Sequence, residues 1–193
     1  MNKTQHIINS IPIVFQMSLY SNKTQPRSNP ESDKYESPPR SLDMILDLLD
    51  ASKHHIWEPF KGSGHSTMYM RSKGFEVSNG NDPDFFKQSV PNPSENKELI
   101  LVSNPPFSIK RQILLHLKKI EFNKIALLLP APVLFTLYFR EFAMEHKVQI
   151  VIHTKRCSFL NPCTLEPCRT SASFDCLWIT TNLSLENDIN FPS

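Results

Sequence analysis

Apolar residues in this chain fall into two kinds of run. "ELILVS" (98–103) and "KIALLLP" (124–130) are nearly continuous, the pattern of strands buried on both faces of a parallel sheet. "HHIWE" (54–58), "FEVSN" (75–79), "KVQIVIH" (147–153) and "SFDCLWIT" (173–180) read as further strands. Between these runs apolar residues recur every three or four positions. Leu42, Ile45, Leu46 and Leu49 share one helical face, with Ser37 and two prolines at its start. A second, short helix is expected over 66–72, ending near Gly74. Ile109, Ile113, Leu114, Leu117 and Ile120 line a third, whose outer face carries Lys110, Arg111, Lys118 and Lys119. "VLFTLYFREFAMEH" (133–146) reads as a fourth.

Strands alternating with helices imply right-handed crossovers and a mostly parallel sheet, so the expected fold is α/β. The last quarter, "RCSFLNPCTLEPCRTSASFDCLWITT", reads as a strand, a turn-rich excursion and a final strand, whose hairpin would add an antiparallel edge. Residues 1–34 are polar and without a sustained period, which suggests a flexible arm. A single domain is expected over 35–185, followed by a tail at 186–193. At 193 residues and 39% hydrophobic content the chain can bury one good core.

A net charge of +2 is too mild to announce a nucleic-acid binder by itself. "IINSIPIVFQMSLY" (7–20) is too short and too interrupted to span a membrane and lacks a small-residue cleavage site. A soluble intracellular protein, without membrane attachment, is the expectation. Cys157, Cys163, Cys168 and Cys176 form no C-x-x-C pair, so they are read as reduced structural cysteines and no metal site is expected.

Ligands of doubly wound sheets sit beyond the carboxyl ends of the strands, which directs attention to three loops. Glu58-Pro59-Phe60-Lys61-Gly62-Ser63-Gly64 offers two glycines before a helix. Its spacing matches neither a dinucleotide fingerprint nor a phosphate-binding loop, and a plain strand-to-helix turn is an equal reading. Asp82-Pro83-Asp84-Phe85-Phe86 pairs acceptors with apolar rings, which suits adenine but also describes a turn with a core-anchoring phenylalanine pair. Asn104-Pro105-Pro106-Phe107 ends the strand at Ser103, because proline cannot donate to a sheet ladder and forces the preceding residue to be extended. An amide side chain, rigid carbonyls and an aromatic ring at a strand end can hold a flat molecule that bears an NH₂ group.

Together these pieces resemble the S-adenosylmethionine-dependent methyltransferases that modify exocyclic amines, above all adenine N6. "YESPPRSLDMILDLL" is similar to their helix-leading cofactor segment, "EPFKGSG" to their glycine loop, and "DFF" and "NPPF" to their later motifs. With the "SPP" helix first, the order is that of the gamma-type arrangement, over about 35–181. The resemblance implies a Rossmann-like class I methyltransferase fold with a C-terminal antiparallel hairpin. It also implies S-adenosylmethionine as cofactor and the N6 amine of adenine in nucleic acid as target. Glu58, Pro59, Phe60, Gly62 and Gly64 would hold the methionine part of the cofactor, Asp84 and Phe85 its adenine, and Pro38 and Pro39 would help to enclose it. Asn104, Pro105, Pro106 and Phe107 would form the catalytic group, with the Asn104 side-chain oxygen and the Pro105 carbonyl gripping the amine and Phe107 stacked on the base. One departure stands out. The family usually ends its second strand on an acid for the ribose hydroxyls, whereas "VSNGN" offers Asn79 and Asn81, with Asp82 a little late.

Few residues follow the last expected strand, so recognition of a sequence would come from the N-terminal arm, from 89–97, from the cysteine-containing excursion or from a partner subunit. DNA adenine ranks first as substrate and RNA adenine second, with protein glutamine and guanine N2 behind them. A methyltransferase-like subunit that binds nucleic acid or a partner without turnover is the alternative of another class.

Overall fold

Three β-rich segments in the first half of the chain assemble in an order that leaves a crevice. The computed structural model describes residues 33, 35–122, 124–168 and 174–191; the expected arm at 1–34, apart from Asp33, lies outside them. Strands β1 (His54–Glu58), β2 (Glu76–Asn79), β3 (Glu98–Ser103), β4 (Ile125–Pro130), β5 (Val148–Ile152), β6 (Cys176–Thr181) and β7 (Ile189–Asn190) form one sheet in the order β2-β1-β3-β4-β6-β5-β7. The neighbours β1/β2, β1/β3 and β3/β4 are parallel. From β1 the chain runs outward to β2 and then returns to β3 on the other flank. The strand order reverses at β1, and this is where an open α/β sheet has its binding crevice.

Both runs of continuous apolar sequence are central strands. Ile100, Leu101 and Val102 of β3 and Ile125 to Leu129 of β4 are almost entirely shielded from solvent, each such aliphatic side chain contributing about 1.5–3 kcal/mol of burial. The covering helices are α1 (Pro39–Leu46), α2 (His65–Ser72), α3 (Lys110–Lys119) and α4 (Leu137–Glu145). Pro39 opens α1 at a position where its missing N–H costs nothing. Ile113, Leu114 and Leu117 form the buried stripe of α3.

The expected antiparallel pairing is present, but its place differs. β6 is antiparallel to both β4 and β5 and lies between them, with Leu128 opposite Trp178 on one side and Val151 opposite Trp178 on the other. All six β6 residues are buried, so this strand is interior rather than an edge. Trp178 donates its Nε1 to the main-chain oxygen of Ser41 at 3.0 Å, which fastens α1 to the sheet.

Ile189 and Asn190, assigned from sequence to the tail, pair with β5 in parallel and form the sheet margin. The strand expected near 156–160 is replaced by single bridges from Leu160 to Glu36 and to Pro167. The fourth helix is divided: a 3-10 turn (Ala131–Phe135) precedes α4, and extended Thr136 separates them. Arg156 pairs with Asp175 at 3.2 Å. Among the described residues no helix is long and apolar enough to cross a membrane.

Candidate active site

A cleft of about 680 Å³ opens at the carboxyl ends of β1, β2 and β3. One wall comes from the loop after β1 (Glu58 to Ser63, with Ser66) and another from the loop after β2 (Gly80 to Pro83). Asn104 and Pro106 close it beyond β3, together with Asp33, Tyr35, Glu36 and Pro162. Among the described residues, Asp33, Glu36 and Asp82 line this space with one lysine, Lys61, and with Glu58, whose burial keeps it protonated, and a ligand carrying positive charge is favoured there over an anion.

The glycine loop explains this bias further. Gly62 and Gly64 adopt left-handed backbone angles, φ +55° and +89°, which a residue with a side chain adopts at a cost. Glu36 reaches in from the segment before α1, and its Oε1 accepts the Ser63 N–H at 2.8 Å. A loop amide that could have met a phosphate is thus already satisfied by a protein carboxylate. A Cβ on Gly62 would stand 2.8 Å from that same oxygen, so the glycine is required twice.

Glu58 closes β1 with its side chain fully enclosed. Its carboxyl accepts the Ser103 hydroxyl and the Phe60 N–H, the latter at 2.9 Å. Burial pushes its pKa up to about 8; these two hydrogen bonds act against the shift, and the nearby Glu36 adds to it.

Asn104 follows β3 directly and is fixed by one end. Its Nδ2 donates to the Tyr35 main-chain oxygen at 3.1 Å, while its Oδ1 is buried without a hydrogen-bond partner. The first bond defines the orientation of the amide, since the opposite placement would set two oxygens against each other. A buried acceptor left open is costly unless something donates to it. Asn104 is one of the residues that line the cleft.

Of the residues expected at the site, the structure gathers Glu58, Pro59, Phe60, Gly62, Asp82, Asn104 and Pro106 around one cavity. Other expected residues lie behind it. Pro38 and Pro39 begin α1, Gly64 caps α2, and Pro105 is buried. Phe85, expected against an adenine ring, is 3% exposed and packs among Phe60, Trp57, Phe86 and His116. Asp84 accepts the Phe86 N–H and pairs with Lys87. The acid that lines the cleft is Asp82, two positions earlier. Phe107, expected to stack on a base, is 7% exposed and meets Phe159 and Phe174 edge-on.

Asn79, at the end of β2, spends its Nδ2 on Thr67 Oγ1 at 2.7 Å and the Glu58 main chain. Asn81 exchanges hydrogen bonds with Ser89. Sequence reading missed Tyr35 and Glu36, although both stand directly before the "SPP" that begins α1. Tyr35 lines the cleft with its ring stacked on Phe159 at 5.4 Å. Cys157 and Cys176 are buried, and burial raises both thiols, Cys157 to about 11. Among the described residues no three His, Cys, Asp or Glu side chains come together as a metal site would require.

No protein-family model matches the chain, and no curated protein matches it. Among solved structures it is similar to the crystal structure of a dimethyladenosine transferase from Plasmodium falciparum, with 14% sequence identity and a TM-score of 0.44. The likeness covers 75% of this chain and 62% of that one, so the chain spans less than two thirds of the length of that structure.

Proposed function

We propose that this chain is an S-adenosylmethionine-dependent methyltransferase acting on the exocyclic N6 amine of adenine in nucleic acid, with DNA the first substrate to test and RNA the alternative. The observation that carries the reading is Asn104, which lines the cleft and whose buried Oδ1 has no hydrogen-bond partner. An aryl amine is a weak nucleophile because its lone pair is delocalised into the ring. Two acceptors holding its hydrogens bend the nitrogen toward tetrahedral geometry and localise that pair. Asn104 Oδ1 would be one acceptor, and the Pro105 carbonyl the second, which requires the substrate to reach past Pro106, because Pro105 itself is buried and does not line the cleft. Positioning then supplies most of the rate.

The cleft residues fit the cofactor. Its ammonium and sulfonium are cationic, and Glu36 and Asp82 line the cavity, while the Ser63 amide that an anion would seek is already bonded to Glu36. Glu58, Pro59, Phe60, Gly62 and Asp82 would hold it, with Asp82 taking the role of the acid that β2 lacks. When bound, the cofactor supplies a methyl group on a sulfonium leaving group. Target recognition would draw on Tyr35, Pro106 and Pro162 at the cleft mouth, or on a partner subunit.

A non-catalytic, methyltransferase-like subunit is the second reading. It is favoured by the end of β2, where Asn79 is committed to Thr67 and offers no carboxylate for a ribose. The test is transfer of a tritiated methyl group from S-adenosylmethionine to DNA, RNA and protein in parallel, with Asn104→Ala as control. Label recovered as N6-methyladenine that vanishes in the variant supports the enzyme and selects its substrate. Silence in all pools, with no cofactor binding by calorimetry, rejects it in favour of the subunit.

A further inference from the structure

The loop after β2 contains a residue that the cleft does not touch but that holds two of its walls. Asp82 Oδ1 accepts the Asp84 N–H at 2.8 Å, and Asp84 Oδ1 accepts the Phe86 N–H at 3.1 Å. These two side-chain caps begin a 3-10 turn (Phe85–Lys87) that Phe85 anchors in the aromatic core. The turn delivers Gln88. Its Nε2 donates to the Pro59 oxygen at 3.0 Å and to the Asp82 oxygen at 2.7 Å, so both protons of one amide are shared between the loop after β1 and the loop after β2. Pro59 and Asp82 each line the cleft. Gln88 Oε1 is buried without a partner, and turning the amide over would set that oxygen against two carbonyls, so the donors can point only one way.

Gly80 completes the arrangement. The Gln88 amide lies directly over it: a Cβ at position 80 would stand 2.5 Å from Oε1 and from Cδ. Because the obstructing atoms are the far end of a flexible side chain, a methyl group at 80 would expel the amide instead of breaking the strand end. Gly80 is itself held by its N–H to the Glu58 oxygen at 3.2 Å.

We propose that Gln88 is a positioning residue, a clasp that fixes the separation of the Pro59 and Asp82 walls and thereby the fit of the cofactor. The proposal rests on the methyltransferase reading for the identity of the ligand, while the clasp itself is a property of the loops. It acts on the walls beyond β1 and β2 and not on Asn104, so it governs cofactor affinity and leaves the transfer step alone.

The test uses the full chain as wild type, Gln88→Ala, Gln88→Met, Gly80→Ala and the Gln88→Ala/Gly80→Ala double variant. Calorimetric titration with S-adenosylhomocysteine is expected to show each single variant weaker by about tenfold, the worth of one or two hydrogen bonds. The double variant should be no weaker than either single one, since both changes remove the same clasp. Without ligand, amide hydrogen exchange of residues 80–82 should accelerate in every variant. In Gln88→Met the KM for S-adenosylmethionine should rise while kcat at saturation is unchanged. Gln88→Met with wild-type affinity and wild-type exchange overturns the proposal, as does a double variant whose loss is the product of the single losses. If wild type binds no S-adenosylhomocysteine, the methyltransferase reading fails, and the exchange rates still decide the clasp.

Discussion

Ser103, the last residue of β3, donates its hydroxyl to the carboxyl of Glu58, the last residue of β1. Two neighbouring parallel strands are thus joined at the carboxyl edge where the cleft begins. The same bond places a titratable group inside the fold, with consequences for pH.

Burial holds the Glu58 pKa at about 8, against an ordinary value of 4.5. The folded chain therefore keeps a proton that the unfolded chain has released. This contribution to stability is complete below about pH 4.5 and is lost as pH rises toward 8. Urea denaturation at about pH 5 and about pH 8 should show wild type losing stability over that interval. Glu58→Gln, which cannot ionise, should flatten the loss, and an equally steep fall in the variant would remove Glu58 as its source.

Gly62 should tolerate no side chain. Alanine there meets a left-handed backbone and the Glu36 carboxylate, 2.8 Å from the added carbon. Gly62→Ala is expected to cost roughly 1–3 kcal/mol of folding stability. Pairing it with Glu36→Ala should return part of that cost, leaving the backbone component, and a chemical denaturation cycle of the four proteins separates the two. Full additivity would mean that Glu36 does not press on the loop.

Asn104 should separate binding from turnover. Asn104→Ala removes the open acceptor and the bond to Tyr35, so methyl transfer should fall on the order of a hundredfold or more. The acids proposed to hold the cofactor lie elsewhere in the cleft, and its affinity should stay within about twofold, since only interactions stronger in the transition state are lost. A variant that loses cofactor affinity and keeps kcat would place Asn104 among the binding groups.

The elements that sequence revealed best are those whose signal is local. β3 and β4 are legible because strands covered on both faces are apolar throughout, and the end of β3 is legible because prolines follow Asn104. The sheet order is less so. Nothing within "CLWITT" distinguishes an interior antiparallel strand from an edge, because that depends on which neighbours it finds, and the two-residue β7 is too short to have a pattern. The same limit applies to the aromatic residues. Phe85 and Phe107 look like stacking platforms in their motifs, yet each packs against rings from distant parts of the chain. Tyr35, ahead of the first helix, reaches the cleft instead. Pairings such as Glu36 with the Ser63 amide span 27 residues and belong to the fold rather than to either segment.

Asp82 tests the charge of the cleft apart from its shape. Asp82→Asn retains a side-chain oxygen that can accept the Asp84 N–H, so the 3-10 turn and the Gln88 clasp persist, and only the negative charge is removed. A hydrogen bond to a charged group contributes about 1.5–3 kcal/mol, which predicts a roughly ten- to hundredfold loss of S-adenosylmethionine affinity with little change in thermal stability. Asp82→Ala removes the turn cap as well and should reduce both. Calorimetry and thermal melts of the two variants side by side make the distinction. If Asp82→Asn binds as wild type does, the ribose is held by some other group.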